Sequence, residues 1–176
     1  MSDSHLWTPW RMPYLRGEDR QHYDGCVFCI KGAGDSSTPD FDERELIVAR
    51  STHVYAALNM YPYNNGHLLI IPYAHVGSLE DLPVEALTDL MLTTNRALAA
   101  LRIVYHPQAF NVGANIGAGA GAGIPDHVHL HIVPRWNADT NFMTVISGTR
   151  TMPDLLHNTW QQLCAVWGQP SETDKH

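Results

Sequence analysis

The sequence has no run of basic residues. Eleven Lys and Arg against eighteen Asp and Glu leave a formal charge of −7. The clustered positive field that grips a nucleic-acid backbone is therefore missing, and no nucleic acid is expected as a partner. Long apolar runs are missing too. The longest, such as Leu68 to Ile71, fall far short of the roughly 20 residues that cross a bilayer, so no membrane association is expected. Cysteine is scarce, at three, an odd and small number that argues against a disulfide framework. The opening residues, Met1-Ser2-Asp3-Ser4-His5-Leu6-Trp7, carry neither the basic nor the apolar segment of an export signal, and a cytoplasmic location is expected. With 44% hydrophobic and 16% charged residues, the chain also lies outside the composition of disordered proteins. At 176 residues it is long enough for one globular domain with appendages. Histidine, by contrast, is plentiful: eleven residues, as many as Lys and Arg together.

Along the chain, residues 1–45 are rich in turn formers, among them Pro9, Pro13, Gly17, Gly25 and the run Gly32 to Ser37. An irregular arm packed on the domain is expected there, its Trp7, Trp10 and Tyr14 too aromatic for a solvated tail. A domain over 46–147 follows, then a helical extension over 148–176. Two short β-prone runs, Leu46 to Ala49 and Val54 to Asn59, suit a hairpin, and His67 to Pro72 follows the Tyr61 to Gly66 turn as a buried strand. From Pro83, the apolar positions Leu87, Leu90, Met91, Leu98, Leu101 and Val104 predict a long helix that ends before Pro107. Phe110 to Asn115 and Val128 to Val133 read as strands, Gly117 to Gly123 as a loop, and Asn141 to Ile146 as a weaker strand. A last helix is expected from Pro153 to Trp167, capped near Thr151 or Met152, with Cys164, Trp160 and Trp167 as packing residues. Strands, one long helix, then strands again give an α+β domain with a mainly antiparallel sheet.

In His127-Val128-His129-Leu130-His131-Ile132-Val133-Pro134-Arg135 the strand period of two puts three imidazoles on one face and Val128, Leu130 and Ile132 on the other. Alternate strand residues are roughly 6.5 Å apart, so the row suits a small anionic group such as a phosphate. Three titratable rings satisfied on a polar sheet face would be the structural alternative. A single catalytic ion held by all three is geometrically poor, because the ends of the row stand about 13 Å apart and ligand bonds are about 2 Å. The Cys26-x-x-Cys29 pair reads as metal or redox chemistry, with no surrounding βαβ pattern to favour a redox role.

The motif resembles the histidine triad (HIT) family of nucleotidyl hydrolases and transferases, whose signature is His-x-His-x-His followed by apolar residues. The resemblance extends over roughly residues 24 to 147, through Asn59, Gly66-His67-Leu68-Leu69-Ile70-Ile71-Pro72, His75, Asn115-Ile116-Gly117 and Pro134-Arg135-Trp136. Within the family, Leu6 to Met12, Cys26-Val27-Phe28-Cys29 and Asp139 to Met143 look like the bacterial diadenosine-polyphosphate phosphorylase and hydrolase branch. A HIT-like fold is then expected, and the substrate would be a dinucleoside polyphosphate, with adenine nucleotides and phosphate as the other small-molecule partners. Family members are commonly homodimers; the long helix, the aromatic arm and Trp136 would supply the interface.

A neutral imidazole is a competent nucleophile near pH 7 and leaves readily once phosphorylated. The resemblance implies that His129 attacks the α-phosphorus to form a nucleotidyl-histidine. His131 and His67 would orient it or bind phosphate oxygens. Asn115 and the backbone of the Gly117 to Gly123 loop, with Gly121 and Gly123, would hold developing charge. Asn59 matches the ribose-binding position, although a strand-end turn explains it equally. Many family hydrolases place glutamine where this chain has Gly123, and the vacated place could admit phosphate as acceptor; alternatively, the loop glycines merely supply positive-φ backbone and hydrolysis is unchanged. The resemblance also implies a structural zinc on Cys26, Cys29, His75 and His127. The other reading leaves both cysteines as small buried residues and His127 facing phosphate. A nucleotide-binding sensor without turnover is a further alternative.

Overall fold

The computed structural model describes residues 25–34, 37–38, 40–137, 139 and 154–169. The irregular character expected of the first 45 residues does not hold for the part that is described. It contains two short helices, α1 (Val27–Ala33) and α2 (Phe41–Arg44). The sequence of α1 offers no capping side chain. It is held from outside, by Phe28 packing on the sheet and by the Tyr55 hydroxyl donating to the Phe28 carbonyl at 2.8 Å.

Strands β1 (Ile47–Arg50) and β2 (Val54–Leu58) form the expected hairpin, and β3 (Leu68–Pro72) pairs antiparallel with β2. Helix α3 (Val84–Tyr105) then crosses the sheet before β4 (Ala109–Gly113) and β5 (Leu130–Arg135). Among the described residues the order is β1-β2-β3-β5-β4, with every pairing antiparallel. Strand β5 thus lies between β3 and β4, and residues far apart in sequence become neighbours. The fold is α+β, as expected.

Two faces follow from the alternation of side chains. Val54, Ala56, Leu58, Leu68, Ile70, Leu130 and Ile132 point to the side where α3 and α4 (Leu156–Val166) pack. Tyr55, Ala57, Leu69 and Ile71 point to the side covered by Phe28 of α1. Helix α3 buries Ala86, Leu90, Thr93, Ala97, Ala100 and Leu101 at spacings of three and four. It ends at His106 in a left-handed conformation, with Pro107 next. Met91, expected on its apolar face, is exposed instead.

The last helix starts later than expected, with Leu155 at its cap, and Trp160 anchors it by donating to the Ile47 carbonyl at 2.8 Å. The strand expected at Asn141 to Ile146 lies outside the described residues. No described helix is long and apolar enough to cross a membrane.

Gly66 enters β3 with φ +72°, and a Cβ there would stand 2.7 Å from Leu101 Cδ2. Glycine is therefore required both by the backbone and by the approach of α3. This turn delivers His67 to the sheet.

Candidate active site and metal cluster

Strand β5 begins at Leu130, two residues later than the period of two suggests. The preceding segment is pulled out of the ladder: Val128 donates its N–H to the Val76 carbonyl at 2.7 Å, and His127 turns back towards Ile124 at 3.3 Å. The three imidazoles therefore do not share one ligand. His129 and His131 lie together, ring centres 4.8 Å apart, and His127 belongs to a separate cluster.

That cluster gathers Cys26, Cys29, His75 and His127, whose ligand atoms all lie within 4.8 Å of one another. His127 Nδ1 stands 3.2 Å from Cys26 Sγ, 3.5 Å from Cys29 Sγ and 3.3 Å from His75 Nδ1. His75 Nδ1 is 3.3 Å from Cys29 Sγ. The remaining nitrogen of His127, Nε2, donates to the Pro72 carbonyl at 2.8 Å. This bond fixes the tautomer and turns the Nδ1 lone pair into the cluster, the outer arrangement that ligating histidines commonly have. Two thiols and two imidazoles are a donor set that suits zinc, which takes four such ligands tetrahedrally in structural sites. Burial, then the neighbouring Cys26, raises the Cys29 thiol. Four such groups brought together are costly unless something binds them, and the residues fit a metal ion.

His129 is 6% exposed. Its Nδ1–H donates to the carbonyl of His127 at 2.9 Å, which leaves the lone pair on Nε2. Burial lowers its proton affinity below that of an ordinary histidine, against the raising effect of that carbonyl. The neutral ring is thus the favoured form. Phe28 packs against it, centroids 4.8 Å apart, and against His127 at 5.4 Å.

His67 and His131 form a directional pair. The Tyr63 N–H donates to His67 Nδ1 at 3.0 Å, and a backbone N–H cannot accept. His67 must then carry its proton on Nε2, which lies 3.0 Å from His131 Nδ1. His131 in turn is left with its proton on Nε2.

A cleft of about 420 Å³ opens over these groups. Asn59, Asn115, Gly121, Gly123, His129 and His131 all line it, so the residues expected at a substrate site are brought to one place. His67 lies behind His131, fully buried. Asn59 has a turn role as well: its Oδ1 accepts the Tyr61 N–H at 2.9 Å, while its Nδ2 lies 3.4 Å from His67 Nδ1. The loop after Asn115 includes a short 3₁₀ turn, Ala118–Ala120, flanked by Gly117 and Gly121 at φ +79° and +81°. Positive φ occurs at these two glycines and not at Gly119 or Gly123. The apolar part of the cleft includes Phe28, Ala57, Leu69 and Ile71. Phe28 and Lys31 are lining residues that the sequence reading missed. Their one-turn spacing, three residues apart, becomes a signal only once Val27–Ala33 is known to be helical.

The HIT domain family model matches residues 41–138. The chain belongs to the HIT family. It is 42% identical over 165 residues to a protein named AP-4-A phosphorylase in Mycobacterium tuberculosis, which covers 93% of this chain and 84% of that relative. It is 32% identical to an adenosine 5'-monophosphoramidase of Saccharomyces cerevisiae, over 80% of this chain and 81% of the relative. Among solved structures, a Zn-bound histidine triad protein from Mycobacterium smegmatis superposes with a TM-score of 0.63 at 29% identity, covering 80% of this HIT chain and 91% of the other.

Proposed function

We propose that this HIT protein cleaves diadenosine polyphosphates of the Ap4A type at the α-phosphate, with inorganic phosphate as acceptor. His129 Nε2 attacks the α-phosphorus, forming a P–N bond as the P–O bond to the departing nucleoside polyphosphate breaks. Phosphate then attacks the nucleotidyl-histidine, releasing a nucleoside diphosphate and restoring the imidazole. Two in-line displacements preserve configuration. The observation that carries the reading is the His127 carbonyl on His129 Nδ1–H, which leaves a buried neutral imidazole with its lone pair on Nε2 in a residue lining the cleft. The similarity to the mycobacterial phosphorylase supports the substrate class and the acceptor.

In this reading His131 donates its Nε2 proton to a phosphate oxygen, held in that tautomer by His67. Asn115 and the backbone at Gly121 and Gly123 meet the developing charge, and Asn59 meets a ribose. Gly123, small and on the cleft wall, leaves room for the phosphate acceptor. Zinc is the ion proposed for Cys26, Cys29, His75 and His127; bound, it would tie the start of α1 to the segment before β5. Thiols kept as metal ligands suit the reducing cytoplasm. A homodimer is also part of the reading, supported by the exposed apolar side chains Met91 and Leu92 on α3 and Val112 on β4, the last strand in the sheet order.

The test is to incubate the protein with diadenosine tetraphosphate, with and without inorganic phosphate, and to separate the products. ADP plus ATP appearing only with phosphate is the expected result, and His129→Ala is expected to lose at least about 10³-fold in rate. AMP plus ATP without phosphate would make water the acceptor. Equal turnover by His129→Ala would remove His129 as nucleophile.

A further inference from the structure

The wall of the cleft holds one ammonium that the chemistry above does not use. Lys31, one turn after Phe28 on α1, is only 6% exposed and lines the cleft beside Asn59 and Met60. Buried lysines are rare and costly unless their charge and all three N–H donors are satisfied. Glu45 meets the charge and one donor: its Oε2 pairs with Lys31 Nζ at 3.2 Å, and its carbonyl oxygen accepts a hydrogen bond at 3.1 Å. The other hydrogen bond of Lys31 among the described residues reaches only the Met60 sulfur at 3.9 Å, a weak acceptor. An apolar side chain would complete the wall without this cost. A cation held rigid by an ion pair, with one donor lacking a strong acceptor, is instead arranged to meet an acceptor on whatever enters the cleft.

What enters follows from the proposed function, on which this inference rests. With phosphate at His129 and His131, the base occupies the apolar part of the cleft formed by Phe28, Ala57, Leu69 and Ile71. We propose that Lys31 is a specificity-determining residue, donating an N–H to the acceptor edge of a 6-oxopurine and admitting guanine nucleotides to the cleft alongside adenine nucleotides. Guanine presents O6 and N7 side by side, both acceptors. Adenine presents N7 beside the N6 amine, which sets a donor against the ammonium. The Lys31 contact therefore strengthens guanine binding more than adenine binding.

The experiment is calorimetric titration of GMP and of AMP into the wild-type protein, into Lys31→Met, and into Lys31→Met combined with Glu45→Gln. The double variant leaves no unpaired buried carboxylate, and thermal melting establishes that each variant is folded. The readout is the ratio of the two dissociation constants, which does not depend on turnover. Both variants are expected to weaken GMP relative to AMP by about tenfold, the order of one good base-edge contact. A ratio unmoved in a folded variant, or equal losses for both nucleotides, would overturn the inference and leave Lys31 and Glu45 as a structural pair. Failure of the wild-type protein to bind either mononucleotide would overturn it as well. Lys31-dependent selectivity in a protein that does not turn over diadenosine tetraphosphate would uphold the inference while sinking the proposed reaction.

Discussion

His67 Nε2 donates to His131 Nδ1 across 3.0 Å, joining two residues that are 64 apart in sequence. Because the Tyr63 N–H occupies the other nitrogen of His67, this bond can run in one direction only. Replacing His67 by Leu frees His131 to take either tautomer. In the proposed reaction kcat should fall by about 10²-fold, the lower end of what a positioned proton donor contributes, with a smaller change in KM. Steady-state kinetics alongside a melting curve check this. A folded His67→Leu variant that keeps more than a third of kcat would take the His131 proton out of the reaction.

Metal removal should act on stability and rate together. Elemental analysis of the purified protein should find one zinc per chain. Stripping it with a chelator, or replacing Cys29 by Ser, should lower the melting temperature by roughly 8–16 °C, as expected for loss of a tightly bound ion in a domain of this size. Catalysis should decline as well, because His127 is both a cluster residue and the source of the carbonyl on His129 Nδ1. A zinc-free preparation with unchanged melting and rate would reduce the cluster to packing.

Asp89 on α3 fastens the β1–β2 turn, accepting from the Ser51 hydroxyl at 2.6 Å and from the His53 N–H at 2.7 Å. Burial pushes its carboxyl up, but those two bonds, with His53 and Arg96 nearby, outweigh burial and hold it below the ordinary range. A carboxyl depressed in the folded state contributes stability above its unfolded value, about 4, and that stability is lost as the pH falls through the folded value. Asp89→Asn should therefore melt roughly 2–5 °C below wild type at pH 7, and the gap should close in acid. A gap that is constant from pH 7 to pH 3 would mean that the carboxylate charge contributes nothing.

The long helix, the hairpin and the strand at Leu68–Pro72 were legible because their apolar spacing is enforced by burial on a sheet or a helix face. The residues converging on the cleft were legible through the triad motif. What was not legible depends on partners distant in sequence. Helix α1 has no cap, and its stability comes from Tyr55 and the sheet, so Phe28 and Lys31 could not be placed on one face. The late start of β5 comes from His127 being drawn to Cys26 and Cys29, 101 and 98 residues upstream, which no local period reports. The tautomer of His67 depends on a backbone N–H in a turn, invisible to any reading of side chains.

The position of β5 between β3 and β4 has a consequence for how the molecule comes into being. The hairpin of β1 and β2, together with β3, can assemble from neighbouring segments, but β5 can join β3 only after the chain has looped through the whole of α3 and β4. Closing so large a loop costs entropy before any contact repays it, so this pairing belongs to the slow, non-local part of folding. A nascent chain that ends with β4, at Gly113, would already hold Cys26, Cys29, His67 and His75, yet neither His127 nor His129. In the proposed reaction, activity thus arrives only with the closing strand and the segment that leads into it.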